Sequence, residues 1–120
     1  MPHLLSLYLH IPFCVHRCAY CDFNTYVGLD TLIPAYVQAL CREIRLAGKA
    51  ANAAGQSIQV HTVFFGGGTP SCIPLEEMAT IFQALRQAFD LQPGCEITLE
   101  ANPGTVSSAY FQGLRLLGVN

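Results

Sequence analysis

The chain has 120 residues, enough for one small domain, and 52% of them are hydrophobic against 12% charged. A net charge of −2 offers no basic face for nucleic acid and no polybasic anchor for a membrane surface. The uncharged stretch 50–75 is no membrane span, because Asn52, Gly55, Gln56, Ser57, Gln59, His61, the glycines at 66–68 and Pro70 interrupt the roughly 20 apolar residues that a span needs.

In chain order, the N-terminal apolar stretch has no basic segment before it and meets Pro12 and Cys14 at once, so no secretory signal is expected. Leu5, Leu7 and Leu9 alternate with Ser6, Tyr8 and His10, the period of a strand that stops before Pro12. A loop bearing Cys14, Cys18 and Cys21 follows. From about Asp30, the spacing of Ile33, Val37, Leu40, Ile44 and Ala47 predicts a helix, with Asp30 or Thr31 as its cap and Pro34 tolerated in its first turn. Residues 50–57 read as a loop, and 58–65 as a second strand broken by Gly66-Gly67-Gly68-Thr69-Pro70. A second helix is expected from Pro74, with Met78, Ile81, Phe82, Leu85 and Phe89 on one side. After Gln92-Pro93-Gly94 comes a third strand over Glu96–Glu100, and a last helix runs from about Thr105 to Leu117. The order βαβαβα predicts an α/β fold with parallel strands, right-handed crossovers and functional residues in the loops after the strands.

All three candidate motifs fall in those loops. Cys14-Val15-His16-Arg17-Cys18-Ala19-Tyr20-Cys21 is a C-x3-C-x2-C array, whose three thiolates can hold three irons of a cubane cluster and leave the fourth open to another ligand. A zinc site completed by His10 or His16 is the alternative, although structural zinc usually takes four protein ligands. The remaining cysteines, Cys41, Cys72 and Cys95, stand alone in apolar segments and read as packing residues of a chain in a reduced compartment, the cytoplasm. Gly67 and Gly68 let a backbone come close to a ligand, and Glu100 sets a carboxylate at the end of the third strand. His10, His16 and His61 read as packing or hydrogen-bonding residues. No Ser/His/Asp set, acid/base carboxylate pair or phosphate-loop lysine appears, so no catalytic side chain is named.

The cysteine spacing resembles the radical S-adenosylmethionine (SAM) signature. Leu7-Tyr8-Leu9-His10-Ile11-Pro12-Phe13-Cys14, Phe65-Gly66-Gly67-Gly68-Thr69-Pro70-Ser71 and Leu99-Glu100-Ala101-Asn102-Pro103-Gly104-Thr105 resemble the oxygen-independent coproporphyrinogen III oxidase-like family more closely still. That resemblance implies a [4Fe–4S] cluster on Cys14, Cys18 and Cys21, with SAM chelating the open iron. It also implies SAM contacts from Tyr8, Tyr20, Gly67, Gly68, Thr69 and Glu100. In the family's oxidases a further cysteine lies two residues beyond the third ligand, where this chain has Phe23, and an N-terminal extension precedes the first strand, which here starts almost at Met1. Both departures resemble the branch of HemW-type heme chaperones, with heme as cargo and heme-accepting proteins and an electron donor as partners. Oxidative decarboxylation of a porphyrinogen is the alternative activity. Residues 1–120 would then be the N-terminal part of a partial (β/α)6 radical SAM barrel, with the rest of the barrel and a C-terminal domain beyond it.

Overall fold

The computed structural model describes residues 3–14, 26–27, 30–53, 55, 58–102 and 106–120. The leucine alternation forms strand β1, His3–Ile11, and after Pro12 the short strand β2, Phe13–Cys14. Strand β3, Tyr26–Val27, pairs with β2 in a two-residue parallel ladder, Phe13 to Tyr26 and Cys14 to Val27. Periodicity gives no hint of so short a ladder. A 3-10 turn, Asp30–Leu32, leads into helix α1, Ile33–Asn52. Strand β4 is Ile58–Gly67, a second 3-10 turn is Pro70–Cys72, and helix α2 is Leu75–Ala88. Strand β5, Asp90–Leu99, and helix α3, Ser108–Leu117, complete the alternation. The main sheet has the order β1-β4-β5 with both pairs parallel, so the α/β architecture expected from the sequence is present.

Several boundaries differ from the sequence reading. Helix α1 starts from Leu32 without a side-chain cap, because the 3-10 turn at Asp30–Leu32 feeds straight into it; the N-cap position is Leu32 and not the expected Asp30 or Thr31. It also runs on to Asn52 through part of the expected loop, and the Asn52 amide donates to the Gly48 carbonyl at 2.8 Å near its end. Its buried face is Ile33, Val37, Cys41, Ile44 and Gly48, while Ala47 faces solvent. Strand β5 begins six residues early, at Asp90 rather than Glu96, and passes through Pro93 and Gly94. A bulge makes that possible: Val60 pairs with Leu91 and the next pair is Thr62 with Glu96, so four residues of β5 oppose His61 alone. Proline lacks a ladder donor and belongs in such an irregularity, and Gly94 takes φ +78° there. His61 is also the extra residue opposite β1, between the pairs Leu5–Val60 and Ser6–Thr62.

One face of the sheet packs under the helices. Leu9 and Ile11 of β1, Val60, Val63 and Phe65 of β4, and Cys95 and Ile97 of β5 share a core with Val37, Cys41, Ile44, Met78, Ile81, Phe82, Leu85 and Leu114. Phe65 and Phe82 stack at 5.6 Å between ring centres, tying the central strand to α2. The opposite face carries Ser6, Tyr8 and His10 of β1 beside Thr62, Phe64 and Gly66 of β4, with Glu96 and Thr98 of β5 opposite Thr62 and Phe64. Helix α3 is started by Ser107, whose hydroxyl accepts from the Tyr110 N–H at 3.1 Å. It is locked to α2 by Arg86, which donates to the Leu117 carbonyl at 2.6 Å. No helix among the described residues is long and apolar enough to cross a membrane.

Candidate functional site

Parallel strands deliver their C-terminal ends to one rim, where the loops that follow them meet. The Gly68 N–H donates to the Ile11 carbonyl and the Thr69 N–H to the Phe13 carbonyl, each at 2.7 Å, so the glycine loop is hydrogen-bonded along the segment that ends in Cys14. Glu100 joins from β5: its N–H donates to the Phe65 carbonyl at 3.1 Å, and its carboxylate Oε1 accepts from the Gly67 N–H at 3.2 Å. Ser71, buried below the loop, accepts from the Asn102 N–H at 3.4 Å. The three loops are thus joined by bonds that need no ligand to hold them.

Glycine is required by space as well as by dihedral angle. Gly67 has φ +110°, and a Cβ there would lie 2.8 Å from the His10 ring and from the Ile11 carbonyl oxygen. A Cβ on Gly68 would meet the Phe13 oxygen at 2.5 Å and the Cys14 sulfur at 2.9 Å. Cys14 is 2% exposed, and the Thr69 hydroxyl donates toward its Sγ at 3.7 Å. A hydroxyl aimed at the sulfur leaves that sulfur in the accepting role that a metal-binding cysteine takes. The donor set and the glycine cradle fit a thiolate-bound cluster. Among the described residues no group of three or more His, Cys, Asp and Glu could hold a metal ion, since Cys18 and Cys21 lie outside them.

Below the rim, the open face holds aromatic rings. Tyr8 and Phe64 pack at 5.7 Å between centres and remain 56% and 39% exposed, so two flat apolar surfaces border the open face. The Tyr8 hydroxyl shares a 3.0 Å hydrogen bond with His10 Nδ1. Partial burial, and then the Glu100 carboxylate, raise the Tyr8 phenol above its ordinary range, so it stays protonated at neutral pH. Lower on this face Ser6 Oγ and His61 Nε2 are 3.0 Å apart. Behind the rim, Tyr36 of α1 donates its hydroxyl to the His10 carbonyl and sets its ring edge-on to Phe13 at 5.4 Å. Burial, then Glu43 and Tyr8, push the Tyr36 phenol up.

The sequence profile of the Radical SAM superfamily matches residues 8–120. This chain belongs to that superfamily. Among its relatives, the "Heme chaperone HemW" of Synechocystis is 44% identical over 96% of this chain and 28% of its own length. The "Oxygen-independent coproporphyrinogen III oxidase" of Bradyrhizobium diazoefficiens is 43% identical over 96% of this chain and 25% of its own. Coproporphyrinogen III oxidase (HemN) from Escherichia coli, described as a radical SAM enzyme, superposes with a TM-score of 0.85 at 32% identity, covering 99% of this chain and 26% of that one. The chain therefore spans about a quarter of the length of these relatives.

Of the residues singled out in the radical SAM motifs, Cys14, Gly67, Gly68, Thr69 and Glu100 meet at the rim, with Tyr8 on the adjoining face. Cys18, Cys21 and Tyr20 lie outside the described residues, as does His16. Cys41 and Cys95 are buried in the core, as expected of packing residues, and burial raises both thiols above their ordinary range. Two contributors escaped the sequence reading. Phe64 was open to inference, since it falls in step with Thr62 on the outward side of β4. Tyr36 was not, because its partner is a backbone carbonyl that carries no side-chain signal.

Proposed function

We propose that the chain is the N-terminal part, residues 1–120, of the core domain of a HemW-type heme chaperone. In this reading Cys14, Cys18 and Cys21 hold a [4Fe–4S] cluster, and Tyr8, Tyr20, Gly67, Gly68, Thr69 and Glu100 contact SAM. Held by those three cysteines, the cluster would supply the electron for reductive cleavage of SAM. The chain's own residues prepare the seat: Thr69 donates toward the Cys14 sulfur, Gly68 lets the loop backbone come up against it, and Glu100 is held against the Gly67 N–H. The observation that carries the reading is this convergence of Cys14, the glycine loop and Glu100 on one rim. A heme-chaperone role is supported by the relatives so named and by Phe23, where the family's oxidases have a further cysteine. Its finer parts, a cytoplasmic location with an electron donor and heme-accepting proteins as partners, follow from the same resemblance.

Oxidation of a porphyrinogen is the second reading, favoured by the 43% identical relative named as an oxidase. Anaerobic reconstitution of the full-length protein, followed by heme titration and a coproporphyrinogen III assay with SAM and reductant, separates the two. Stoichiometric heme uptake without decarboxylation supports the chaperone, and formation of protoporphyrinogen replaces it with the oxidase. Failure to take up iron would remove both.

A further inference from the structure

We infer that Tyr36 is a positioning residue for the cofactor seat: from the first turns of α1 it fixes the backbone between His10 and Cys14, and through it the placement of Cys14 against the glycine loop. The inference rests on the cluster and SAM reading above and names a residue that reading does not include.

Tyr36 holds this short segment at two points. Its hydroxyl donates to the His10 carbonyl, and its ring meets the Phe13 ring edge-on, at 89° and 5.4 Å. Between those points lies Ile11, whose carbonyl accepts from Gly68, and at the second point the Phe13 carbonyl accepts from Thr69. The backbone that Tyr36 braces is therefore the backbone that receives both glycine-loop N–H groups. Pro12 within it has no N–H to give, so the strand is interrupted there and the Tyr36 contacts brace the segment on both sides of the break. The connection is also long in sequence. Tyr36 follows His10 by 26 residues, so its bond ties the start of α1 to the end of β1. Loss of the hydroxyl leaves the His10 carbonyl without this donor while the helix, the sheet and Cys14 itself stay intact. The loosened element is the distance between the Cys14 sulfur and the Gly68–Thr69 backbone, which sets how a ligand spanning both would sit.

The test compares the full-length protein with its Tyr36→Phe and Tyr110→Phe variants after anaerobic reconstitution. Tyr110 makes the same kind of bond, hydroxyl to the Ile73 carbonyl, from α3, and so controls for stability lost with such a bond. Tyr36→Phe is expected to take up as much iron as the wild type, while its SAM dissociation constant rises about three- to tenfold, the size expected of one hydrogen bond. The EPR change of the reduced cluster on adding SAM should also be altered, and Tyr110→Phe should move neither. An unchanged SAM affinity and EPR change in Tyr36→Phe would overturn the inference while the family reading stands. Absence of iron in the wild type would overturn that reading and the inference with it. Should Tyr36→Phe not fold, Phe13→Leu, which removes the ring contact, takes its place with the same two outcomes.

Discussion

Gly68 shows how a single atom is decided by its surroundings. Its φ is ordinary, so the usual reason for glycine does not apply; what excludes a side chain is the Phe13 oxygen at 2.5 Å and the Cys14 sulfur at 2.9 Å from where a Cβ would stand. Gly68→Ala must therefore push the loop from the cysteine segment, at a cost of about 1–3 kcal/mol, the usual range for overpacking. A fall in melting temperature and a lower iron content after reconstitution of the full-length protein are the expected results. Glu100→Gln keeps an oxygen for the Gly67 N–H but removes the charge, so the Tyr8 phenol loses one of the two influences that raise it. Spectrophotometric titration of Tyr8 should then show its pKa moving down. The sequence made the chemistry of these residues legible because glycine runs and cysteine spacings are local. It was silent on Tyr36, whose role depends on a carbonyl 26 positions earlier.

Helices α1 and α2 are in close contact at Gly48, where an added Cβ would lie 2.6 Å from the Ala88 carbonyl oxygen and 2.9 Å from its Cβ. Alanine would improve helix propensity by about 1 kcal/mol, yet the obstacle is backbone, and overpacking of about 1–3 kcal/mol outweighs the gain. Gly48→Ala should lower the denaturation midpoint, and a rise would refute this account of the interface. Tyr110 joins α3 to the end of the turn before α2, and its phenol is pushed up to about 12, first by burial and then by Cys72. The folded state thus keeps that proton where the unfolded chain, near 10, gives it up. The contribution of Tyr110 is untouched below pH 10, falls as pH rises from 10 toward 12, and levels off beyond. Chemical denaturation of Tyr110→Phe across that window should show a shallower decline. Helix faces were readable from their period, although the α1 face includes Cys41 and Gly48, a small side chain and none at all, which the pattern undervalued.

At the scale of the whole molecule, strand–helix alternation was enough to give the parallel sheet and the rim on which the motifs gather. It could not give the bulge at His61, because that depends on how three strands align and not on the composition of any one. Pro93 and Gly94 looked like a loop for the same reason: their place in β5 is tolerable only opposite that irregularity. The outer edge of β5 is also engaged, by Asn120. Its side-chain amide donates to the Cys95 carbonyl at 2.9 Å and its side-chain oxygen accepts from the Ile97 N–H at 3.1 Å, while its own N–H donates to the Ile97 carbonyl at 2.9 Å. Asn120→Ala should cost about 1–3 kcal/mol in urea denaturation, the sum of two modest hydrogen bonds. The amide in effect speaks the language of a peptide group, answering β5 as a neighbouring strand would. Because a slip of one rung would turn every following side chain of a strand to its other face, this one asparagine, bonded at Cys95 and Ile97, sits in step with the rim that carries Cys14.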